Sequence, residues 1–215
     1  MATTATSTLG VNTVEGSSSS SSTFNFPREY NFPPFFTRQT NLATLHSQRE
    51  TWSSFVLDYC RHHRIFRLSL SNAIGGSGSE LFHNKRLDRR LSLADARDVL
   101  EHMRKEGRAE PASSSSSSSS STNASATGGG DAGDVWWIYW RTPEEWAAMI
   151  ESYVDETAQR GTVLTLYELV EGEGTRGRDF YGLHPELLQK ALQTLVKRGK
   201  AQIFGHEDSQ GVKFF

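Results

Sequence analysis

The histidines and the single cysteine are the side chains of this chain best suited to catalysis or metal binding. The seven histidines are His46, His62, His63, His83, His102, His184 and His206, and their spacing is not typical of zinc ligands. His62 and His63 are adjacent, so on a helix they do not share a face. Cys60 lies on or beside an apolar stripe, which indicates a core position. The sequence therefore predicts no enzyme, no metal site and no cofactor.

Basic side chains form two groups that could bind a polyanion. In the second half of the chain they are Lys190, Lys197, Arg198 and Lys200. Residues 141–215 carry 9 basic and 12 acidic side chains, a balance of −3, whereas phosphate binding needs a locally positive potential. Residues 27–112 carry 14 basic and 10 acidic side chains, with a cluster of Lys85, Arg86, Arg89 and Arg90. That cluster is consistent with a solvated loop that binds nothing. It is equally consistent with a site for nucleic acid, acidic lipid or an acidic protein partner.

A short apolar segment with two adjacent prolines, Phe32-Pro33-Pro34-Phe35-Phe36, precedes the first helical pattern. Proline fixes φ and removes a backbone donor, and the second proline disfavours the α region for the first. We therefore expect an extended conformation close to polyproline II, with the aromatic side chains projecting outward. Such a segment docks in a groove at little entropic cost. Packing of the aromatic rings onto their own domain is the alternative that the residues alone leave open.

Two tracts of low complexity bound the folded parts of the chain. Residues 1–23 are rich in serine and threonine, and residues 113–133 contain a serine run followed by glycines. Neither tract can bury enough apolar surface to offset the entropy of ordering, so both are predicted to be disordered. The N-terminus lacks the apolar core of a signal peptide, and no apolar stretch is long enough to cross a bilayer. These features predict a cytoplasmic protein without membrane insertion.

The remaining residues predict the same order of elements twice. The first half has a helix over 40–63, then a strand with Phe66, Leu68 and Leu70 on one face. The pattern predicts a helix after Ser92 and a strand over residues 135–140. In the second half Thr142 caps a helix, a short strand and helix follow, a third helix begins at Pro185, and a hairpin ends the chain.

Helix, short strand, short helix, helix and hairpin is the order of a winged helix. We therefore predict an α+β fold of two tandem winged-helix domains, preceded by a disordered serine-rich tail and an extended Pro-Pro motif. The predicted boundaries are 1–23 for the tail and 24–39 for an extended partner-binding segment. The first winged-helix domain spans 40–140 with a disordered Ser/Gly insertion at 113–133, and the second spans 141–215. An insertion at a hairpin tip adds little to the entropy of loop closure.

Several short motifs in this order resemble the small subunit of ESCRT-II, the endosomal sorting complex. The matching segments are Tyr30-Asn31-Phe32-Pro33-Pro34-Phe35-Phe36-Thr37, Leu81-Phe82-His83-Asn84, Trp140-Arg141-Thr142-Pro143-Glu144-Glu145-Trp146, Thr165-Leu166-Tyr167-Glu168-Leu169 and Gly211-Val212-Lys213-Phe214-Phe215. The resemblance implies a non-catalytic adaptor with two copies per complex, joined to one copy of each of two larger subunits. It also implies sorting of ubiquitinated cargo into multivesicular bodies, at endosomal membranes reached through partners.

The resemblance also implies which residues bind partners. The motif Phe32, Pro33, Pro34, Phe35 and Phe36 would dock in hydrophobic pockets of the larger subunits, with Phe35 and Phe36 as anchors. Arg89, with Arg90 beside it, would be an interface arginine suited to a bidentate pair with a carboxylate. Alanine at both Pro33 and Phe36 is then expected to abolish partner binding while thermal unfolding stays nearly unchanged.

The second winged helix would recruit and activate an ESCRT-III subunit by binding its first helix. The sequence leaves Trp146 and Tyr167 open as contact residues or core residues. A winged-helix nucleic-acid-binding regulator, using Lys85, Arg86, Arg89 and Arg90, is the alternative function. That alternative predicts duplex binding that weakens steeply with salt.

Overall fold

The structure is a computed structural model that describes residues 24–76, 79–112, 134–205 and 210–215. The tracts predicted to be disordered, 1–23 and 113–133, lie outside the described residues.

The first half begins with two 3-10 turns and continues through three helices and five strands. The turns are Arg28–Asn31 and Pro33–Phe36; the helices are α1 (Leu42–His62), α2 (Leu70–Gly75) and α3 (Leu93–Lys105); the strands are β1 (Arg67–Ser69), β2 (His83–Asn84), β3 (Arg89–Arg90), β4 (Ala109–Pro111) and β5 (Val135–Ile138). Asn41 caps α1 by accepting hydrogen bonds from two backbone amides, and the Ser92 hydroxyl accepts one from Asp95 N. The predicted helix after Ser92 is therefore confirmed.

The second half repeats this order. It contains α4 (Pro143–Glu156), β6 (Val163–Thr165), α5 (Leu166–Glu171), a 3-10 turn (Glu173–Thr175), α6 (Pro185–Lys197), β7 (Ala201–Phe204) and β8 (Gly211–Phe214). Thr142 and Thr165 each form a complete capping box, with Glu145 and Glu168 as the returning carboxylates. The helix start predicted at Thr142 is confirmed.

The two three-stranded sheets have the same topology. Their strand orders are β1-β5-β4 and β6-β8-β7, and every neighbouring pair is antiparallel. In each sheet the last strand of the hairpin lies in the middle. The predicted α+β fold and the repeated helix–strand–helix–helix–hairpin order are confirmed, and the insertion at 113–133 connects β4 to β5.

The core of each half is apolar, but the two cores meet at β5. Residues 136–139, in β5 and just after it, alternate between the cores: Trp136 and Ile138 belong to the first, whereas Trp137 and Tyr139 belong to the second. The prediction that Phe66 shares a face with Leu68 is wrong. Phe66 precedes β1 and stacks on Trp140, with ring centroids 4.5 Å apart, inside the second core. The division at residue 140 stays a prediction.

Polar contacts join the halves at the edge of this apolar seam. Lys190 Nζ donates to Glu110 Oε2 at 2.7 Å and to the Tyr139 hydroxyl at 2.9 Å. Partial burial raises the pKa of Glu110, but the hydrogen bonds from Lys190 and Tyr139 outweigh it and leave that pKa below its ordinary value. Arg64 donates to the carbonyl of Tyr181. No described helix has the length and apolar character needed to cross a membrane.

Candidate functional site

The Pro-Pro motif is a single 3-10 turn, so the prediction of an extended conformation is wrong. Phe35 N donates to Phe32 O at 2.9 Å and Thr37 N donates to Pro34 O at 3.1 Å. Pro33 and Pro34 occupy the first two positions of the turn. Backbone amides at those positions have no partner within a helix, so proline is tolerated there.

Phe35 and Phe36 point inward, so the prediction of outward rings is wrong for both. They are 6% and 5% exposed and belong to the core of the first half. The Phe35 ring stacks on Trp52 with centroids 4.3 Å apart and planes 7° apart, and Phe36 meets Trp52 edge-on at 5.5 Å. Because Phe36 is core, its replacement by alanine would not leave the stability unchanged, contrary to the expectation stated above.

Side chains of α1 hold the carbonyl groups of the turn. Gln48 Nε2 donates to Phe35 O at 2.8 Å and to Thr37 O at 2.9 Å. Trp52 Nε1 donates to Phe35 O at 3.1 Å. Gln39 Nε2 adds bonds to Pro34 O at 3.0 Å and Thr37 O at 2.8 Å. The turn is therefore fixed to α1 by its backbone as well as by its buried rings.

The outer surface of the motif is formed by Phe32, Pro33 and Pro34. Phe32 is 60% exposed, and both prolines are exposed. A surface cavity of about 310 Å³ lies beside them, with Glu29, Gln39, Thr44 and Ser47 among its lining residues. The exposed Phe32 ring, on a fixed backbone and next to a cavity, can form apolar contacts with another protein.

Arg89 lies beside this surface although it is more than fifty residues away in sequence. It belongs to β3, which runs alongside the Pro33–Phe36 turn and is exposed. The buried Asn84 joins the two segments: its Nδ2 donates to Tyr30 O at 2.7 Å, and its Oδ1 accepts from Leu87 N at 3.1 Å. Arg86 Nη2 donates to Asn31 Oδ1 at 2.6 Å. The strand that carries Arg89 therefore lies next to the Pro33–Phe36 turn.

Sequence reasoning missed Gln48 and Trp52, which hold the carbonyls of the turn, and Asn84, which bonds to Tyr30. The signal for Trp52 was its place in the apolar stripe of α1, but its partner could not be identified from that stripe. Asn84 lies within one of the short motifs quoted above, yet nothing local shows that its amide reaches Tyr30.

Two of the lysines named above as possible contacts for a polyanion have acidic partners. Lys190 and Lys200 are ion-paired with Glu110 and Glu151. Lys190 therefore does not present a free cation to a polyanion.

Trp146 is core, whereas Tyr167 is exposed. Cys60 is fully buried, and burial raises the pKa of its thiol to about 12, which fits a structural role. Among the described residues no group of His, Cys, Asp or Glu could hold a metal ion.

Comparisons with known proteins agree on one family. A family model described as "ESCRT-II complex subunit" matches residues 29–184. "Vacuolar protein-sorting-associated protein 25" of Xenopus laevis is 38% identical over 192 residues, covering 89% of this chain and 99% of the relative. The protein of the same name from Dictyostelium discoideum is 39% identical over 196 residues, covering 91% and 98%.

Solved structures give the same result. The crystal structure of "subunit VPS25 of the endosomal trafficking complex ESCRT-II" matches with a TM-score of 0.71 at 28% identity, covering 88% of this chain and 99% of that one. A chain of "endosomal complex ESCRT-II (VPS22/VPS25/VPS36)" matches with a TM-score of 0.70 at 29% identity, covering 87% and 98%. The chain belongs to the ESCRT-II complex subunit family.

Proposed function

We propose that this protein is a non-catalytic adaptor subunit of ESCRT-II that binds two larger subunits through the face formed by Phe32, Pro33, Pro34 and Arg89. The observation that carries the proposal is an exposed phenylalanine on a backbone turn that is already fixed. The turn is anchored by Phe35, whose buried ring stacks on Trp52. Phe35 and Phe36 thus act as the base of the face rather than as its contact residues.

A fixed turn favours binding because its ordering entropy is lost on folding rather than on association. Each rotamer-rich side chain that must be immobilised at an interface costs roughly 0.5–1.5 kcal/mol. Here Gln48 and Trp52 hold the backbone of the turn at hydrogen-bond distances of 2.8 to 3.1 Å. Only the Phe32 side chain and the nearby arginine need to be ordered when a partner arrives.

Arg89 supplies the polar part of the proposed contact. It is exposed, and within the described part of the chain it makes no ion pair. A guanidinium can form a bidentate pair with a carboxylate, which fixes the orientation of a partner. We therefore expect an acidic side chain on the larger subunit opposite Arg89, beside an apolar pocket that takes Phe32.

The likeness to a chain of the VPS22/VPS25/VPS36 complex supports the larger ESCRT-II subunits as these partners. Two copies of the chain would join one copy of each. The second half would recruit and activate an ESCRT-III subunit by binding its first helix. The protein would act in sorting ubiquitinated cargo into multivesicular bodies, and it would reach endosomal membranes through its partners.

Light scattering on the chain co-purified with the two larger subunits tests the proposal. The wild-type chain should be present in two copies per complex. The double variant Phe32→Ala with Pro34→Ala should fail to co-purify, whereas Leu42→Ala, which removes an exposed leucine from α1, should assemble as the wild type does. Assembly of the double variant at normal stoichiometry would contradict the proposed contact. Salt-sensitive duplex binding without assembly would favour the nucleic-acid alternative.

A further inference from the structure

The segment that joins β3 to α3 combines two arginines, a serine and two leucines. It reads Arg89-Arg90-Leu91-Ser92-Leu93, and adjacent arginines occur nowhere else in the sequence. Serine kinases that select basic substrates hold arginines, two and three residues before the acceptor serine, with carboxylates in their clefts. They also take an apolar side chain directly after the acceptor. The charges and the spacing of this segment match that pattern, with Ser92 as the acceptor.

The structure presents the residues that such a kinase would contact. Arg89, Arg90 and Ser92 are exposed. Leu93 is 45% exposed, whereas Leu91 is buried. The two arginines form β3, and Ser92 has φ −68° and ψ 154°, so the backbone is extended as far as the serine. A kinase cleft binds its substrate in an extended form, which this segment already has up to the acceptor.

Ser69 provides a matched site within the same chain. It too lies between two leucines, but it has a single arginine among the four residues before it. Leu68 and Leu70 are both buried, and Ser69 itself is only partly exposed. The serine tracts within 1–23 and 113–133 contain no lysine or arginine. A kinase that selects basic substrates therefore has no reason to choose any of these serines.

We propose that Ser92 is a phosphorylation site for a serine kinase that selects basic substrates, and that phosphate there weakens the contact of Arg89 with a partner carboxylate. In the transfer Ser92 Oγ forms a bond to the γ-phosphorus of Mg²⁺–ATP, and the bond from that phosphorus to the oxygen of the leaving ADP breaks. The hydroxyl proton passes to a carboxylate of the kinase. The weakening rests on the proposed function, which assigns Arg89 to the partner.

The Ser92 hydroxyl must leave its capping position for this transfer. It donates to Asp95 Oδ2 at 2.6 Å and accepts from Asp95 N at 3.1 Å, and both hydrogen bonds are exposed. A phosphate oxygen can restore the bond from the amide, because the backbone amides at a helix N-terminus favour anions. Arg38 Nη1 lies 3.4 Å from Asp95 Oδ1 and offsets part of the repulsion between that carboxylate and the phosphate. We therefore expect α3 to persist after phosphorylation.

A phosphate at this position acts directly on Arg89. Ser92 follows Arg89 by three residues, which is at most about 10 Å of extended chain. The Debye length at physiological ionic strength is similar, about 8 Å. The phosphate carries a charge of about −1.5 to −2 at pH 7, so it repels a partner carboxylate. It also competes for the guanidinium, since arginine binds phosphate and carboxylate in the same bidentate geometry. Both effects lower the affinity of the contact.

Phosphorylation of the full chain tests the site. The probe is the catalytic subunit of cyclic-AMP-dependent protein kinase with Mg²⁺–ATP, and tandem mass spectrometry locates the phosphate. It should appear on Ser92 and not on Ser69. Arg90→Gln should slow the transfer by at least about tenfold, because a charged hydrogen bond to the kinase is lost. Ser92→Asn should take no phosphate but keep the cap of α3, since asparagine caps as well as serine.

Two outcomes of this assay would overturn the inference. One is a folded chain that carries no phosphate on Ser92. The other is phosphorylation of a synthetic peptide spanning residues 86–96 at a rate that the folded chain does not approach within about a hundredfold, because local unfolding would then limit the reaction.

Isothermal titration calorimetry with the two larger ESCRT-II subunits tests the effect of the phosphate. Kd should rise by at least about tenfold for the phosphorylated chain, as expected when a charged pair at an interface is lost. Its far-ultraviolet circular dichroism should match that of the unmodified chain. Ser92→Asn treated with the kinase should bind as the unmodified wild type does.

The two proposals fail in different ways. Equal or tighter binding of the phosphorylated chain would overturn this inference while leaving the proposed function in place. If the unmodified chain does not bind the larger subunits, the proposed function fails, and control of the contact by Ser92 fails with it.

Discussion

Replacing Phe35 by alanine should destabilise the first half strongly although the residue belongs to a motif proposed to bind partners. The ring is 6% exposed and stacks on Trp52 at 4.3 Å. Alanine removes the ring and leaves a cavity beside the indole, whereas the hydrogen bonds from Gln48 and Trp52 to the backbone carbonyl are not removed directly. The loss therefore comes from burial and stacking.

The expected magnitude follows from the burial of this ring. Truncating a buried phenylalanine to alanine costs about 3–5 kcal/mol, and this includes the lost transfer energy and the cavity. With a urea m-value of about 2–3 kcal/mol/M, the unfolding midpoint should fall by roughly 1–2 M. That is a large part of the stability of an ordinary domain, which is about 5–15 kcal/mol.

Urea unfolding followed by far-ultraviolet circular dichroism measures this effect. Phe32→Ala is the matched control, because it makes the same chemical change three residues earlier at a side chain that is 60% exposed. Its unfolding free energy should stay within about 0.5 kcal/mol of the wild type. Equal losses for the two variants, or a loss below about 1 kcal/mol for Phe35→Ala, would refute the placement of Phe35 as the base of the face.

Three further predictions concern the stability of the fold. The pKa of Glu110 is lowered in the folded state, so this carboxylate stabilises the fold above its unfolded pKa of about 4.3, and the stabilisation is lost as pH falls through the folded pKa. The variant Lys190→Met removes the partner of Glu110. Its unfolding free energy, measured with urea, should therefore fall less than that of the wild type between about pH 5 and 3. Thr142→Ala should cost about 1 kcal/mol in the same assay because the capping box of α4 is lost, and Thr142→Ser should recover most of it. Gly107→Ala should lower the melting temperature, because φ is +71° there and the left-handed region costs a non-glycine residue about 1–2 kcal/mol, whereas Gly75→Ala should not.

The repeated order of elements could be predicted because each signal is local. A capping threonine followed by proline and glutamate identifies the start of α4, and alternating apolar residues identify the hairpin strands. The contact between the halves could not be predicted in this way. Residues 135–140 form a continuous apolar run rich in aromatic residues, which is typical of a strand buried on both faces. The run itself does not show which elements cover each face, so the place of Trp137 and Tyr139 in the second core could not be predicted.

The conformation of the Pro-Pro motif could not be predicted from propensity alone. Two prolines favour an extended segment in isolation, but they also suit the first two positions of a helical turn. Burial of Phe35 and Phe36 against Trp52 decides between these conformations, and it depends on α1. The proximity of Arg89 likewise depends on the buried Asn84, whose amide bonds to a carbonyl fifty-four residues away.

Isothermal titration calorimetry of the two larger ESCRT-II subunits with the wild-type chain and with Phe32→Ala measures whether the exposed face of the motif binds them. For Phe32→Ala we expect Kd to rise by at least about tenfold, as for an aromatic residue that fills a partner pocket, while the urea midpoint is unchanged. An unchanged Kd for a variant that unfolds like the wild type would show that the exposed face of the motif does not bind these subunits.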